Sequence, residues 1–263
     1  MTAARHIHAT HWGCGPRLVL LHGWTMRGEV MGPLAASLPG FACVAPDLPG
    51  HGGTTGYPAD LCGAEAMLSD LLSDGVPTVL VGWSLGALMG WHWLARHGRG
   101  PVRGMISLDM SPRPLPGDGW AYPMSGQSAA RIRSRADWFR RDWMSAVLPL
   151  ASGIFASDAG APAFGLDQAR RLIGSQNSAV MAGFWSSLIE ADCREAVCRL
   201  PVPLLAVHGE QSRVYPPACA DWLAQAAPRG KALRLMGAGH APHLERTSET
   251  AAAIAAFACQ VPE

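Results

Sequence analysis

The 263-residue sequence has almost no lysine. Lys231 stands alone, so arginine supplies the other 20 of its 21 cationic side chains. That skew reads as genome composition rather than chemistry, because 20 acidic residues leave a formal net charge of only +1. So small a charge offers no global field for nucleic acid. No apolar run approaches the ~20 residues of a membrane span, and the segment Met1 to His8 lacks the apolar core of a secretory leader. No Cys-x-x-Cys pair occurs among the seven cysteines, Cys14, Cys43, Cys62, Cys193, Cys198, Cys219 and Cys259. Odd in number and scattered, they read as free thiols of a reducing compartment, and a cytoplasmic location is expected. His-Glu-x-x-His is absent as well. His240 and His243 lie three apart with no third ligand near them in sequence, so no metal site is expected.

Hydrophobic residues make up 49% of the chain and charged residues 16%, the balance of a folded chain with one sizeable core. Short apolar runs alternate with longer helical patterns. Strands are expected over Arg17 to Leu21, Ala42 to Ala45, Thr78 to Val81, Gly104 to Leu108, Leu204 to His208 and Ala232 to Leu235. Several are apolar without alternation, as when helices cover both faces of a parallel sheet. Helices are expected over Gly28 to Leu38, Cys62 to Ser73, Leu85 to His97, Pro217 to Ala227 and Ser248 to Cys259. The alternation predicts an α/β fold with a doubly wound, mostly parallel sheet.

The rhythm breaks between about Ser111 and Leu200. That stretch has no convincing strand, opens on a Pro/Gly-rich segment, and then turns helical and rich in tryptophan. It reads as a helical cap, residues 111–200, inserted into a sheet domain made of residues 1–110 and 201–263. Ile132, Ala136, Phe139 and Trp143 recur at i, i+4, i+7 and i+11, one apolar helix face. There is no internal repeat and no low-complexity tract.

Gly82-Trp83-Ser84-Leu85-Gly86 sits between the run Thr78 to Val81 and the helical stretch Ala87 to Arg96. A Gly-x-Ser-x-Gly at a strand-to-helix junction is a nucleophile elbow. The serine takes a strained backbone on a tight turn, and the flanking positions carry no Cβ so that strand and helix can approach. The turn lifts the Ser84 hydroxyl off the sheet and aims the first helix amides at the same spot. Any glycine-rich turn matches five letters; the strand-turn-helix context makes this one specific.

A serine hydroxyl needs a base, and the base needs a group that holds its tautomer. After the last expected strand the chain reads Met236-Gly-Ala-Gly-His240-Ala-Pro-His243. His240, in the glycine-flanked turn, is assigned as the base; His243 is the alternative, otherwise a helix-start residue. Two backbone N–H groups must hold an oxyanion. The Leu85 amide follows the nucleophile directly, and the Trp24 amide of Leu21-His22-Gly23-Trp24 is the second assignment.

His-Gly-Trp, then Pro46-Asp-Leu-Pro-Gly-His-Gly52, Gly-Trp-Ser-Leu-Gly and Gly-Ala-Gly-His240 together resemble the α/β-hydrolase fold superfamily across nearly the whole sheet domain. Within it the chain most resembles the pimeloyl-carrier-protein methyl ester esterases of biotin synthesis and related carboxylesterases. The resemblance implies a structural rather than catalytic Asp47. It also exposes a departure. Many relatives carry an aspartate in His-Gly-x-x-Asp-x-x-x-Pro, where this chain reads His208-Gly-Glu-Gln-Ser212-Arg-Val-Tyr-Pro216. Serine accepts a hydrogen bond but cannot balance an imidazolium.

Asp109 is expected to fill that place. It ends the strand Gly104 to Leu108, and adjacent parallel strands present their C-terminal ends on one sheet edge; some haloalkane dehalogenases resemble this arrangement. A turn cap into Ser-Pro-Arg-Pro is its alternative role, and Glu210 and Asp192 are weaker candidates for the acid. The cap carries Arg131, Arg133, Arg135, Arg140 and Arg141, either a docking surface for an acidic acyl carrier protein or a solvated helix face. Trp24, Trp83 and Trp143 are the expected substrate contacts, with core packing the alternative for the cap tryptophans. The function so drawn is a serine carboxylesterase needing neither metal nor organic cofactor. A thioesterase, lactonase or carbon–carbon hydrolase would use the same residues, while a non-catalytic binder of the same fold is the alternative that Ser212 favours.

Overall fold

The structure, a computed structural model, describes residues 4–261. Residues 1–3 and 262–263, which belong to the N-terminal segment and sheet domain read above, lie outside the described residues. Seven strands form one sheet: β1 (Ala9–Trp12), β2 (Arg17–Leu21), β3 (Ala42–Pro46), β4 (Thr78–Trp83), β5 (Val102–Leu108), β6 (Leu204–Gly209) and β7 (Gly230–Leu235). Their spatial order is β1-β3-β2-β4-β5-β6-β7. All neighbours run parallel except β1, which pairs antiparallel with β3 from Ala9↔Pro46 to Trp12↔Cys43.

The apolar runs form the middle of the sheet because both its faces are covered. Leu18 to Leu21 of β2 are fully buried, and each such side chain contributes roughly 1.5–3 kcal/mol of transfer free energy. Outside the inserted segment, helices α1 (Gly32–Ala36), α2 (Leu61–Leu71), α3 (Leu85–His97), α9 (Cys219–Ala226), α10 (Pro242–Glu245) and α11 (Thr247–Ala258) complete the layers. The single helix expected over Gly28 to Leu38 divides into a 3₁₀ turn, Gly28–Met31, and α1. Pro33, in the first turn of α1, has no N–H with which to bond back to Glu29.

Five helices lie between β5 and β6: α4 (Ala129–Arg141), α5 (Trp143–Ile154), α6 (Leu166–Gly174), α7 (Ser178–Ile189) and α8 (Arg194–Cys198). The apolar face expected to run unbroken from Ile132 to Trp143 spans two of them. Asp142, at φ −149°, leaves the helical region and caps α5 through its Oδ1, which accepts the Ser145 N–H at 3.2 Å. Ile132, Ala136 and Phe139 are buried on α4, and Trp143 meets Phe139 from the new helix with ring centres 5.6 Å apart. Among the described residues no helix is long and apolar enough to cross a membrane.

Candidate active site

The loops that follow β2, β4, β5, β6 and β7 leave the same edge of the parallel sheet and carry Trp24, Ser84, Asp109, Ser212 and His240 in turn. That is the edge at which open α/β sheets collect ligands. Ser84 sits between β4 and α3 at φ 52°, ψ −114°, strained backbone for a residue with a Cβ. The positions two residues to either side must be glycine. A Cβ on Gly82 would stand 2.4 Å from the Ala87 nitrogen, and one on Gly86 would stand 2.2 Å from the Leu21 carbonyl oxygen. The strain is held from below, where the Ser84 N–H donates to the Leu108 carbonyl at 2.9 Å.

Ser84 and His240 line one pocket of about 200 Å³, with Trp24, Trp83, Trp185 and Tyr215 among its walls. His240 Nδ1 lies 2.7 Å from Asp109 Oδ1. An ionised carboxylate only accepts, so Nδ1 carries a proton, and in the neutral ring the free lone pair is then that of Nε2. Trp83, next to the serine in sequence, fixes the other side of this residue: its indole N–H donates to the His240 carbonyl at 2.7 Å. His243 is fully buried against the Trp83 ring at 4.6 Å, and neither ring nitrogen has a partner. Burial, with His240 close by, pushes it down to about 3, so it is a neutral packing residue.

Asp109 is fully buried at φ 46°. Its Oδ2 accepts the Gly209 N–H at 3.0 Å, and its Oδ1 accepts the Ser212 hydroxyl at 2.8 Å as well as His240. Burial by itself would raise this carboxyl. The imidazoles of His208 and His240 and the Ser212 hydroxyl outweigh it and hold Asp109 below the ordinary carboxylate range. The other acid candidates are engaged elsewhere: Glu210 pairs with Arg234 at 3.3 Å, and Asp192 with Arg194 at 2.6 Å. Asp47 accepts the amides of Gly28 and Gly53, each at 2.8 Å, and braces the Asp-x-Pro-Gly turn.

The Leu85 amide opens α3, where no helical acceptor lies four residues back. Trp24 lies inside a turn closed by Met26 N–H to the Gly23 carbonyl at 3.1 Å. Beneath that turn His22 is buried and neutral, pushed by burial down to about 4. Its Nε2 accepts the Leu48 N–H at 2.9 Å, so Nδ1 is the protonated nitrogen and donates to the Gly23 carbonyl at 2.8 Å.

Sequence reasoning did not find the bonds from the inserted helices to both of these loops. Gln176, buried between α6 and α7, donates to the Thr25 carbonyl at 3.0 Å, and the Trp24 indole N–H donates to the Met181 carbonyl at 3.1 Å. On the His240 side, Glu245 accepts the Ala156 and Gly239 amides, each at 2.7 Å, and Ala241 N–H donates to the Ile154 carbonyl at 3.1 Å. The approach is so close that a Cβ on Gly239 would stand 2.3 Å from the Ala156 nitrogen. Trp143, expected as a substrate contact, is placed behind the pocket instead. Its ring packs edge-on against Trp24 at 6.1 Å and its N–H donates to the Ile173 carbonyl at 3.0 Å. Among the described residues no cluster of three or more His, Cys, Asp or Glu side chains is arranged to hold a metal.

The chain belongs to the alpha/beta hydrolase family, whose model matches residues 18–253, from β2 into α11. It is similar along its length to pimeloyl-acyl-carrier-protein methyl ester esterases. That of Xanthomonas oryzae pv. oryzae is 28% identical over 257 residues, covering 97% of this chain and 100% of the relative. That of Chromobacterium violaceum is 30% identical over 250 residues, covering 92% and 94%. In fold the chain is similar to an esterase from Exiguobacterium antarcticum, with a TM-score of 0.88 at 18% identity over 97% of this chain and 96% of that one. It is also similar to an enol-lactonase from Burkholderia xenovorans LB400, with a TM-score of 0.84 at 20% identity over 97% of each chain.

Proposed function

We propose that this protein is a serine carboxylesterase that cleaves its substrate through an acyl-enzyme. The observation that carries the reading is the 2.7 Å pair of His240 and Asp109, beside a pocket that also holds Ser84 on its elbow. In this mechanism His240 Nε2 removes the Ser84 proton as Oγ attacks the ester carbonyl. The Trp24 and Leu85 amides receive the developing oxyanion. The tetrahedral intermediate collapses as His240 returns the proton to the leaving alcohol. Water, deprotonated by the same nitrogen, then releases the acid and regenerates Ser84.

Likeness to the carrier-protein ester esterases suggests the methyl ester of a carrier-bound acyl chain as substrate. The cap arginines Arg131, Arg135, Arg140 and Arg141 are the surface for an acidic carrier. Arg140 is already paired with Asp137 at 3.1 Å, and Arg133 with Glu190 at 2.6 Å. Against a non-catalytic binder stands the contact of Ser212 with a buried carboxylate that itself contacts the imidazole. Turnover of p-nitrophenyl esters and labelling by a fluorophosphonate, both abolished by Ser84→Ala, are the expected results. Absence of both from the wild-type protein would sink the esterase reading.

A further inference from the structure

The aromatic wall of the Ser84 pocket uses its polar atoms inside the fold. The indole N–H groups of Trp24, Trp83 and Trp185 donate to the carbonyls of Met181, His240 and Ile132 at 3.1, 2.7 and 3.0 Å. Arg213 is paired with Asp158 at 3.1 Å. Gln127 lines the same pocket and does not follow them. Its Oε1 is shut off from solvent and accepts no hydrogen bond among the described residues.

The segment that carries this carboxamide is pinned on both sides. Gly126, at φ 67°, turns the chain ahead of it, and Ser128 behind it caps α4, its hydroxyl accepting the Arg131 N–H at 3.3 Å. Ser125 N–H donates to the Val214 carbonyl at 2.9 Å, while Val214 N–H donates to Ser212 Oγ at 3.3 Å. Ser212 in turn donates to Asp109. The backbone beside Gln127 is therefore strapped to the loop that contacts the buried acid, and so is fixed relative to His240. The carboxamide itself turns about one broad torsion, so its oxygen can meet a bound group with no movement of the backbone. An amide oxygen left unpaired away from water destabilises the free protein, and a donor arriving on a ligand removes that cost. Arg135 and Arg213 on the same wall repel a cationic donor, which leaves an uncharged one.

We propose that Gln127 is a specificity-determining residue of this pocket, and that the substrate carries an uncharged hydrogen-bond donor, a hydroxyl or an amide N–H, away from its reacting carbonyl. The inference rests on the esterase reading for the reaction, but its binding step stands independently.

The test measures kcat/KM for methyl esters of straight-chain acids, matched in length, that end in a hydroxyl, a primary carboxamide, a methoxy or a methyl group. The wild-type protein is expected to favour the hydroxyl or the carboxamide series over the methyl series by about tenfold or more, and the favoured series identifies the donor. The methoxy series, which accepts but cannot donate, gains nothing. Gln127→Leu, which offers no hydrogen-bonding atom, abolishes the preference, and Gln260→Leu, on the Lys231 side of the sheet, keeps it. Each preference is a ratio within one preparation, so a variant that is merely less stable leaves it unmoved. In parallel, Ser84→Ala protein is titrated with the same esters and followed by tryptophan fluorescence. Tighter binding of a donor series that is lost in Ser84→Ala/Gln127→Leu supports the site even when no ester is turned over, an outcome that removes only the esterase reading. Equal kcat/KM across the series, a preference shared by the methoxy esters, a preference that survives Gln127→Leu, or binding indifferent to Gln127 overturns the proposal.

Discussion

The Ser212 hydroxyl donates to Asp109 Oδ1 across 2.8 Å, the same oxygen that His240 Nδ1 reaches at 2.7 Å. Ser212 Oγ also accepts the amides of Val214 and Tyr215, each at 3.3 Å, and both residues line the pocket. Ser212 thus ties the carboxylate that contacts His240 to the backbone of the loop after β6. The proposed triad predicts that Asp109→Asn lowers kcat by roughly 10³–10⁴-fold, because the amide no longer selects the right tautomer. Ser212→Ala leaves Gly209 and His240 on the carboxylate. It is expected to cost less than about tenfold in kcat and about 1–3 kcal/mol in stability. Steady-state kinetics and urea unfolding of the two variants give the ranking, and the reverse order refutes Asp109 as the acid.

Gln176 reaches the Thr25 carbonyl from the inserted helices, and Thr25 is held at φ 70° beside the Trp24 amide. Gln176 does not itself line the pocket, so Gln176→Ala frees that turn without removing a pocket-lining side chain. Because oxyanion donors act in the transition state, kcat is expected to fall about tenfold or more while KM stays within about threefold. Gln176→Glu, which has no donor at neutral pH, gives no rescue. A change in KM alone would show that Gln176 shapes substrate binding and not the oxyanion turn.

The sheet was legible because its strands are buried on both faces and write continuous apolar runs into the sequence, as Leu18 to Leu21 do. β1 was not, since Ala9 to Trp12 is a short, half-exposed edge strand with no core face to imprint a pattern. The elbow glycines were readable because their absent Cβ atoms are forced by backbone 2.2 and 2.4 Å away. Gln176 and Glu245 were not, because each contacts backbone amides or carbonyls of a distant loop, and backbone partners leave no side-chain signature. Trp143 could not be told from Trp185, which does line the pocket, because aromatic residues of a cap look alike in sequence whether they face a pocket or stand behind it.

Four buried histidines, His22, His51, His208 and His243, are held below the ordinary imidazole value by burial and make stability depend on pH above the carboxylate range. Burial, assisted for His51 by His22 and for His243 by His240, holds His22 near 4 and both His51 and His243 near 3. The unfolded chain binds protons at these residues from about pH 6.5 downward, while the native protein does not. Their neutral burial is therefore without cost above that pH, and stability falls as pH drops from 6.5 toward the folded values. Each removes up to about 1.4 kcal/mol per pH unit. Asp109, held low in the folded state, keeps its contribution until the pH falls below about 4, the unfolded value. Urea unfolding between pH 7.5 and 5 (roughly the span over which the histidines respond) is expected to show a steep loss. A flat profile would place compensating proton binding in the native state.

Glu245 uses both carboxylate oxygens on backbone: Oε1 takes the Ala156 amide and Oε2 the Gly239 amide, each at 2.7 Å. Those two bonds fasten the segment after α5 to the residue preceding His240. Glutamine at this position has one acceptor oxygen and one NH₂ group, so one backbone N–H would face a donor. Glu245→Gln is accordingly expected to lose about 1–3 kcal/mol, a fall in Tm of several degrees for a chain of this size. It also lowers kcat, because the freed Gly239 lets the imidazole wander from the serine. Glu245→Ala orphans both amides and is expected to be worse on both counts. Thermal unfolding and kcat measured on the same preparations test the link: a large Tm loss with unchanged kcat would mean that the latch holds the cap but does not position His240.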